Sequence, residues 1–348
     1  MNLKNTIEKI TNWEHWPSFM FYLPNLPYAF YLAIKAKHPV FFSAANPSIK
    51  DSGNGTESKY QTLALIPDNY KPTSIFIRAN TSFNEVTKLI KQHKISYPLI
   101  AKPDIGFRGL LVKKIKNKEE LQTYISKYNI NLIIQDFIDY DNECGIFYHR
   151  IPGATQGTIS SITLKEFSTV TGNGKDSIKK LIEQDKRTAL YLPLFEEIHK
   201  ENLNNILEKG KTIQLSNIGN HCKGTAFKNG NHLISKKLQD TFDHLSKNID
   251  GWYYGRLDIK YNSFKELEKG KNFKILEING IIAEPTHIYD TKNNSYVSSL
   301  KTIRLHWKYL FEVAITNHKK NNTPYKKPLP FIKDLITLNK YKKLITKL

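Results

Sequence analysis

Two stretches late in the chain, 255–260 and 274–280, alternate polar and apolar residues, a pattern that predicts β-strands. Side chains on a strand alternate between its two faces. Arg256 and Asp258 therefore share one face of the first strand, and Glu277 and Asn279 share one face of the second. If these polar faces meet, carboxylate and amide oxygens come together beside an arginine, which suits Mg²⁺ held against phosphates. The alternative is an amphipathic hairpin whose polar face is solvated.

Helical and strand-like patterns are mixed along the rest of the chain, which predicts an α+β fold. Helices are predicted at about 28–37, 59–67, 83–93, 117–127, 233–248 and 298–317. Strands are predicted at 39–45, 73–78, 97–102, 110–114, 132–136, 145–150 and 157–164. Ser82 is expected to cap the helix after it, with Glu85 as its capping partner. Residues 188–215 are expected to form a polar, helical insertion.

Residues 15–34 contain no Asp, Glu, Lys or Arg and are rich in aromatic side chains. A membrane-spanning helix needs about 20 apolar residues. Pro17, Pro24 and Pro27 interrupt this stretch, and each removes a backbone donor. We therefore expect short packed elements here, with a peripheral membrane contact as the alternative. The charges before Trp13 are of both signs, which is not typical of a signal peptide.

The composition is that of a globular protein of about two domains, with 348 residues of which 40% are hydrophobic. The chain has 52 Lys+Arg against 32 Asp+Glu, and this net charge of +20 favours acidic partners such as nucleotides, polyanions or an anionic membrane. The lysines are scattered rather than gathered in a basic run with interleaved aromatics, so nucleic acid is not expected as a partner. Cys144 and Cys222 form neither a disulfide framework nor a zinc motif, which favours a reducing compartment, the cytoplasm.

A loop that contains two glycines follows the predicted strand at 97–102. Lys102 precedes this loop, and Gly106 and Gly109 lie on either side of Arg108. The backbone N–H groups of such a loop can fold over phosphates. The loop matches neither the P-loop pattern nor the dinucleotide fingerprint, and a plain hairpin turn is the alternative.

The run Glu277-Ile278-Asn279-Gly280, with Asp258 in the preceding strand, resembles the metal-binding end of the ATP-grasp superfamily. The spacing is similar to that of the branch that contains D-alanine–D-alanine ligases. The glycine turn and helix at 170–182 resemble those of the cyanophycin synthetases. The resemblance covers about residues 55–290. It implies an ATP-grasp fold, in which two α+β subdomains clasp ATP, with a shortened N-terminal α/β domain.

The resemblance also implies roles for individual residues, in the order of the family's chain. Asp258, Glu277 and Asn279 would hold Mg²⁺, and Arg256 would face the reacting acyl group. The implied nucleotide contacts are Lys59, Lys102 and Lys165 at the phosphates, Gly106, Arg108 and Gly109 in the flap loop, Gln135, Asp136, Phe137 and Ile138 at the adenine hinge, and Glu143 at the ribose. Many family members have Glu where this chain has Gln135.

A domain organisation follows from the same resemblance. An N-terminal α/β region is expected at 1–80, an ATP-grasp domain at 81–317 and a basic tail at 318–348. Within the ATP-grasp domain, the flap subdomain is expected at about 95–165 and the metal-binding subdomain at about 166–317. For the tail, three alternatives stay open: it is flexible, it packs on the domain, or it contacts an anionic surface.

The implied activity is that of an ATP- and Mg²⁺-dependent carboxylate–amine ligase that forms an acyl phosphate and releases ADP and phosphate. Such an enzyme uses two Mg²⁺ ions, for which Mn²⁺ can substitute. It would join a small-molecule or peptide carboxylate to an amine acceptor, as a homodimer. The alternatives are a kinase built on the same fold and a non-catalytic basic protein that binds a membrane or a polyanion.

Four further polar residues are candidates for the site. Glu284 and His287 belong to the stretch that stands where D-alanine ligases have a short Leu-Pro-Gly-like turn, so D-alanine is not expected. Either Glu284 or His287 would shape a different acceptor pocket. His221 is either a general base, since imidazole titrates near neutrality, or a residue that stabilises its loop by a hydrogen bond. Arg187 is expected either to reach an anionic substrate or to lie on the surface.

Overall fold

The computed structural model describes residues 3–348, and their side chains from residue 7 onward. The helices are α1 (Leu3–Thr11), α2 (Phe19–Tyr22), α3 (Leu26–Ala36), α4 (Lys59–Ala64), α5 (Phe83–Gln92), α6 (Lys118–Lys127), α7 (Ile178–Gln184), α8 (Leu192–Ile198), α9 (Lys236–Lys247), α10 (Phe264–Leu267), α11 (Tyr296–Asn321) and α12 (Pro328–Thr346). The strands are β1 (Ser74–Ile77), β2 (Leu99–Pro103), β3 (Lys113–Ile115), β4 (Leu132–Asp136), β5 (Asn142–His149), β6 (Thr158–Glu166), β7 (Thr169–Thr171), β8 (Thr212–Gln214), β9 (Ala226–Asn229), β10 (Tyr254–Tyr261) and β11 (Phe273–Asn279). Within residues 3–348, no helix combines the length and the apolar character that crossing a membrane requires.

Four antiparallel strands form the first sheet, in the order β1-β4-β2-β3. Val86 of α5, Leu121 of α6 and Ile134 of β4 are buried together in its core. The cap predicted at Ser82 is present, since its hydroxyl accepts a hydrogen bond from the backbone N–H of Glu85 at 3.3 Å. The two helices thus cover an apolar face of this sheet.

Five antiparallel strands form the second sheet, in the order β11-β10-β5-β6-β9. Leu257 and Ile259 of β10 share a core with Leu238 and Phe242 of α9 and with Leu63 of α4. Because side chains alternate along β10, its polar residues lie on the face away from this core. The short strands β7 and β8 pair separately.

The strand predicted at 39–45 is wrong, because Phe41–Ala44 is a 3₁₀ helix. The local sequence Val-Phe-Phe favours a strand, but the helical turn lets Phe41 and Ala45 reach one core with Phe311 of α11. Packing thus overrides local propensity. Strand β1, inside the predicted N-terminal region, pairs with β4 of the first sheet. The domain boundaries themselves stay a prediction.

The strand predicted at 110–114 begins later than expected, at Lys113. The loop before it continues through residues with positive φ, namely Arg108 at 46°, Gly109 at 76° and Leu111 at 58°. L-residues in extended strands have negative φ, so this backbone cannot join the sheet.

Of the three alternatives for the C-terminal segment, the structure shows packing. Ile345 of α12 is buried in the core of the first sheet. Near the start of α12, the Phe331 ring packs edge-on against Phe42, with 5.5 Å between centroids. Lys326 Nζ lies 2.6 Å from a carboxylate oxygen of Asp51. Helix α12 therefore connects the N-terminal region to the first sheet.

Candidate active site

One cavity of about 700 Å³ is lined by residues from both large sheets. Every residue assigned to the site from the sequence lies on its wall: Lys59, Lys102, Gly106, Arg108, Gly109, Gln135, Asp136, Phe137, Ile138, Glu143, Lys165, Arg256, Asp258, Glu277 and Asn279. Their individual roles stay predictions, but they form a single site in space.

The register of β10 and β11 explains why the acidic residues converge. Asp258 lies opposite Glu277, and Arg256 lies opposite Asn279. Directly opposed residues of antiparallel strands project from the same face, with their Cβ atoms about 4.5–5.5 Å apart. The Asn279 side-chain amide donates a hydrogen bond to Asp258 Oδ2 at 3.0 Å. The two alternating stretches therefore meet with their polar faces together.

The Arg256 guanidinium is held by Asp258 in a two-point contact. Its Nε lies 3.0 Å from Oδ1 and its NH2 3.2 Å from Oδ2, while NH1 donates to the backbone oxygen of Glu284 at 3.0 Å. Gly145 of β5 makes room for this side chain, since a Cβ there would lie 2.9 Å from Arg256 Cδ. Planar, two-point pairs of this kind fix the orientation of an arginine.

Lys165 links two carboxylates across the second sheet. Its Nζ lies 2.6 Å from Glu143 Oε1 and 3.4 Å from Asp258 Oδ1. Burial alone would raise the pKa of Asp258, but Arg256 and Lys165 outweigh burial and hold this pKa far below its ordinary value. Burial would likewise lower the pKa of Lys165, but Asp258 and Glu143 raise it. Both groups are therefore charged around neutral pH.

Lys102 enters the cavity from β2 of the first sheet. Its Nζ donates to Gln135 Oε1 at 3.0 Å and to the backbone oxygen of Leu276 at 3.3 Å. Burial lowers its pKa to about 8, although Glu277 and other carboxylates favour the charged form. Lys59, at the start of α4, forms an ion pair with Glu277. Lys59 thus pairs with one of the acidic residues, and Lys102 contacts the strand that carries it.

The glutamine at position 135 has a structural explanation. While its oxygen accepts from Lys102 at 3.0 Å, its amide nitrogen donates to Ser74 Oγ at 3.1 Å. A glutamate carboxylate has no donor for that second contact when it is ionised. Gln135 therefore ties Lys102 to β1.

The loop at 103–109 is anchored to the start of α4 through Asp104. The Asp104 carboxylate accepts hydrogen bonds from the Ser58 hydroxyl at 2.8 Å and from the backbone N–H of Tyr60 at 3.0 Å. This anchor sets the loop over Lys59. Gly109 is in the left-handed region, where glycine is preferred.

The hinge after β4 carries an aromatic residue between two cations. Lys114 Nζ lies 3.6 Å from the centroid of the Phe137 ring, and Lys260 Nζ lies 5.6 Å from it. Lys114 and Lys260 also line the cavity, although neither was predicted from the sequence. The alternation of side chains along each strand could have indicated both residues. Lys114 lies opposite Ile100, two residues from Lys102 on β2, and Lys260 lies two residues from Asp258 on β10.

One end of the cavity is built by residues that the sequence did not assign to the site: Glu14, Trp16, Tyr22, Tyr289 and Trp307. Tyr22 donates a hydrogen bond to the Glu284 carboxylate, and Tyr289 donates to its other oxygen at 3.1 Å. The aromatic density of the N-terminal stretch was visible in the sequence, but not the direction in which each ring points.

The remaining candidate residues have other contacts. His287 is buried away from the cavity lining, with Nδ1 2.6 Å from Ser161 Oγ. His221 Nε2 lies 2.9 Å from the Glu14 carboxylate, a contact that holds its loop in place. Arg187 NH1 lies 2.6 Å from the same carboxylate. Arg187 therefore neither lines the cavity nor stands free on the surface.

The donor set fits a magnesium ion that also binds phosphate. Asp258, Glu277 and the Asn279 amide offer hard oxygen atoms from adjacent strand positions. Among the described residues, no group of three or more His, Cys, Asp or Glu side chains forms a complete metal cage. Mg²⁺ ordinarily takes one or two protein carboxylates and completes its shell with phosphate oxygens and water.

Comparison with known families decides the fold. Residues 56–192 match the family model described as the RimK-like ATP-grasp domain. Over these residues the chain is similar to an ATP-grasp domain. The predicted α+β, ATP-grasp fold is thus confirmed. No curated protein matches the chain.

Several solved structures are similar to this protein at a distance. VanG D-Ala:D-Ser ligase from Enterococcus faecalis is similar over 76% of this chain and 64% of its own, with 13% identity and a TM-score of 0.44. A bifunctional glutathione synthetase from Pasteurella multocida is similar over 73% of this chain and 38% of its own, with 13% identity and a TM-score of 0.36. For D-alanine–D-alanine ligase from Bacillus anthracis the coverage is 72% and 68%, the identity 14% and the TM-score 0.37. Likenesses this distant carry no argument about activity.

Proposed function

We propose that this ATP-grasp protein is an ATP- and Mg²⁺-dependent carboxylate–amine ligase that acts through an acyl phosphate. The observation that carries the proposal is the convergence of Asp258, Glu277, Asn279 and Arg256 with buried Lys102 in one cavity. Acid, amide, guanidinium and ammonium groups in this arrangement suit phosphoryl transfer to a carboxylate.

The reaction has two balanced steps. A carboxylate oxygen of the first substrate attacks the γ-phosphorus of ATP, the bond to the β,γ-bridging oxygen breaks, and ADP leaves. The nitrogen of a neutral amine then attacks the acyl carbon, and the bond from that carbon to the phosphate oxygen breaks. Phosphate leaves and takes up the proton that the amine nitrogen loses.

The residues of the chain supply charge and orientation for both steps. Lys59, Lys102 and Lys165 surround the place where the phosphates of ATP would lie, with the 103–109 loop over them. Asp258, Glu277 and Asn279 would hold Mg²⁺, which neutralises phosphate charge when bound. Arg256, fixed by Asp258, would stabilise the oxyanion of the tetrahedral intermediate. Positioning by such groups provides much of the rate gain.

The wall around Glu284 suits the amine substrate. The Glu284 carboxylate lies there beside Tyr22 and Tyr289, and Trp307 adds a further aromatic face to the cavity. Carboxylates and aromatic faces both attract an ammonium group. Glu284 would therefore bind the protonated amine before it loses a proton and attacks.

The test uses the purified full-length protein with ATP, Mg²⁺ and a panel of carboxylates and amines. We expect release of ADP and phosphate only when a suitable acid and amine are both present. Asp258→Asn and Glu277→Gln should abolish this release. Asp240→Asn and Glu196→Gln are matched controls, because both carboxylates lie on the surface outside the cavity and these variants should keep full activity.

Two other outcomes would replace the proposal. A phosphorylated product without free phosphate identifies a kinase. Absence of any thermal stabilisation by ATP and Mg²⁺, which a bound nucleotide gives by mass action, would favour the non-catalytic basic protein. The homodimer and the use of Mn²⁺ stay predictions that the same preparation can test. The cytoplasmic location also stays a prediction.

A further inference from the structure

The segment from α2 to α3 is apolar on two opposite faces. Its inner face includes Phe21 and Leu32, which are buried in the protein. Its outer face, here called the outer stripe, consists of Phe19, Leu23, Leu26, Phe30 and Ile34, which are 58%, 59%, 39%, 66% and 76% exposed. These residues follow one another at intervals of three or four, the spacing of one helical face. A continuous row of large apolar side chains therefore points away from the protein.

The outer stripe is not an ordinary protein surface. A surface helix usually carries polar and charged residues on its outer face. Between His15 and Ile34 the sequence has no charged Lys, Arg, Asp or Glu at all. Contiguous exposed apolar patches of this kind mark sites that bind a partner or a membrane.

Basic side chains lie at the C-terminal end of the stripe and beside α3. Lys35 and Lys37 stand at its C-terminal end. Arg304 of α11 lies beside α3, with Nε 3.3 Å from Asn25 Oδ1 and its guanidinium 5.5 Å from the centroid of the Tyr28 ring. No acidic residue occurs from position 15 to position 50.

The C-terminal segment begins next to the same face. Tyr325 packs against His38, just after α3, with 4.9 Å between ring centroids. The neighbouring Lys326 is paired with Asp51 and Asp334, and α12 then leads to the core of the first sheet. We therefore assign only Lys35, Lys37 and Arg304 as the cations beside the outer stripe.

We propose that the outer stripe docks this protein on an anionic lipid surface, with α2 and α3 lying in the plane of the membrane interface. Apolar side chains that enter the acyl boundary, rimmed by Lys and Arg that pair with anionic headgroups, are the arrangement of interfacial helices. A second copy of this face is a poorer occupant, because no acidic residue occurs from position 15 to position 50 that could pair with the surrounding lysines and arginine.

The docked segment also belongs to the cavity. Helix α2 contributes Tyr22 to the cavity wall and Phe19 to the outer stripe. The end of the cavity that holds Glu284 therefore lies one short helix away from the proposed lipid surface.

The experiment is flotation of the full-length protein with vesicles of phosphatidylcholine and phosphatidylglycerol. We expect the protein to float with these vesicles. Less protein should float with vesicles of phosphatidylcholine alone, and less should float at high salt. Phe30→Ser combined with Ile34→Ser should lower the partition coefficient by about tenfold or more. The matched control is Ile198→Ser with Ile206→Ser, which removes apolar side chains that are 48% and 59% exposed elsewhere and should leave binding unchanged.

A second measurement does not depend on loss of binding. Phe30→Trp adds an indole to the stripe, and brominated lipids should quench its fluorescence. Three results would overturn the proposal. The wild-type protein does not bind anionic vesicles, or the Phe30→Ser, Ile34→Ser variant binds them as well as the Ile198→Ser, Ile206→Ser control. In the third, the protein forms a dimer without lipid, and the Phe30→Ser, Ile34→Ser variant is monomeric. The last result would make the stripe an interface between two copies.

Discussion

Tyr22 donates its phenolic hydrogen to the carboxylate of Glu284, a residue 262 positions later in the chain. Tyr289 holds the other oxygen of that carboxylate at 3.1 Å. Burial raises the pKa of Tyr22 far above its ordinary value, and Glu284 raises it further, so the tyrosine stays a neutral donor. The N-terminal segment is therefore part of the cavity wall and fixes the direction of Glu284.

The first prediction concerns Glu284→Gln. Loss of a charged hydrogen-bond partner costs about 1.5–3 kcal/mol, so the KM for the amine should rise about 10–100-fold. The KM for ATP should change less, because the hydrogen bonds of the Glu284 carboxylate go to Tyr22 and Tyr289 and not to Lys59, Lys102 or Lys165. The two KM values are measured separately, from steady-state ADP release at varied amine concentration and at varied ATP concentration. Tyr22→Phe, which keeps the charge, should have a smaller effect, and an equal rise in both KM values would contradict the assignment.

The second prediction concerns Arg256. Arg256→Lys replaces a planar fork by a point charge, so the two-point contact with Asp258 is lost. We expect kcat to fall about 10²–10³-fold, the effect of removing one oxyanion donor. Thermal stabilisation by ATP should persist. The exposed Arg78→Lys is the control, and an unchanged kcat in Arg256→Lys would remove Arg256 from the mechanism.

Gly145→Ala tests the contact between Arg256 and Asp258 without removing any polar or charged group. The new Cβ would lie 2.9 Å from Arg256 Cδ and 3.4 Å from Asp258 Oδ1, so the arginine must move. We expect a lower kcat with the KM for ATP nearly unchanged, measured by the same ADP assay. Full activity in this variant would show that the observed position of Arg256 is not required.

The third prediction is a pH dependence that comes from Lys102. Burial lowers its pKa to about 8 in the free protein. In the proposed function, the phosphates of ATP contact the charged form of Lys102. Above pH 8 the protein must then take up a proton on binding, and the affinity for ATP should fall by up to about tenfold per pH unit. Lys102→Arg keeps a permanent charge. The ATP affinity of this variant should therefore not depend on pH near 8, even if the affinity itself differs from that of the wild type. Calorimetric titration with ATP on either side of pH 8 measures it, and a flat wild-type profile would contradict it.

The sequence was enough to locate β10 and β11 because a strand's faces are set by a local, period-two pattern. The pairing of Asp258 with Glu277 then needed only that the two strands be neighbours. At residues 39–45, local sequence and tertiary packing favour different structures. Its residues favour a strand locally, yet Phe41 reaches its core through a helical turn against α11.

Contacts between distant segments could not be predicted in the same way. Glu14 meets Arg187 and His221, which are 173 and 207 residues away. No local periodicity records which distant loop a buried carboxylate will touch. For the same reason the aromatic residues of the N-terminal stretch gave no sign of which ones face the cavity and which face outward.

The last prediction follows from that buried carboxylate. Burial alone would raise the pKa of Glu14, but His221 and Arg187 outweigh it and lower the pKa from 4.5 to about 2. A carboxyl whose pKa is lower in the folded state stabilises the protein fully above pH 4.5, and this contribution is lost as the pH falls toward 2. Glu14→Gln should therefore reduce the free energy of unfolding by about 2–3 kcal/mol at pH 7.

Urea unfolding measures this effect, and the gap between wild type and Glu14→Gln should narrow as the pH drops below 4.5. The exposed Glu197→Gln is the matched control and should change stability by no more than about 0.5 kcal/mol. If Glu14→Gln is as stable as the control at neutral pH, the ion pairs do not hold the N-terminal segment in place. The cavity wall formed by Trp16 and Tyr22 would then depend on aromatic packing against α11 instead, because Tyr22 stacks on Trp307 of that helix with 6.1 Å between centroids.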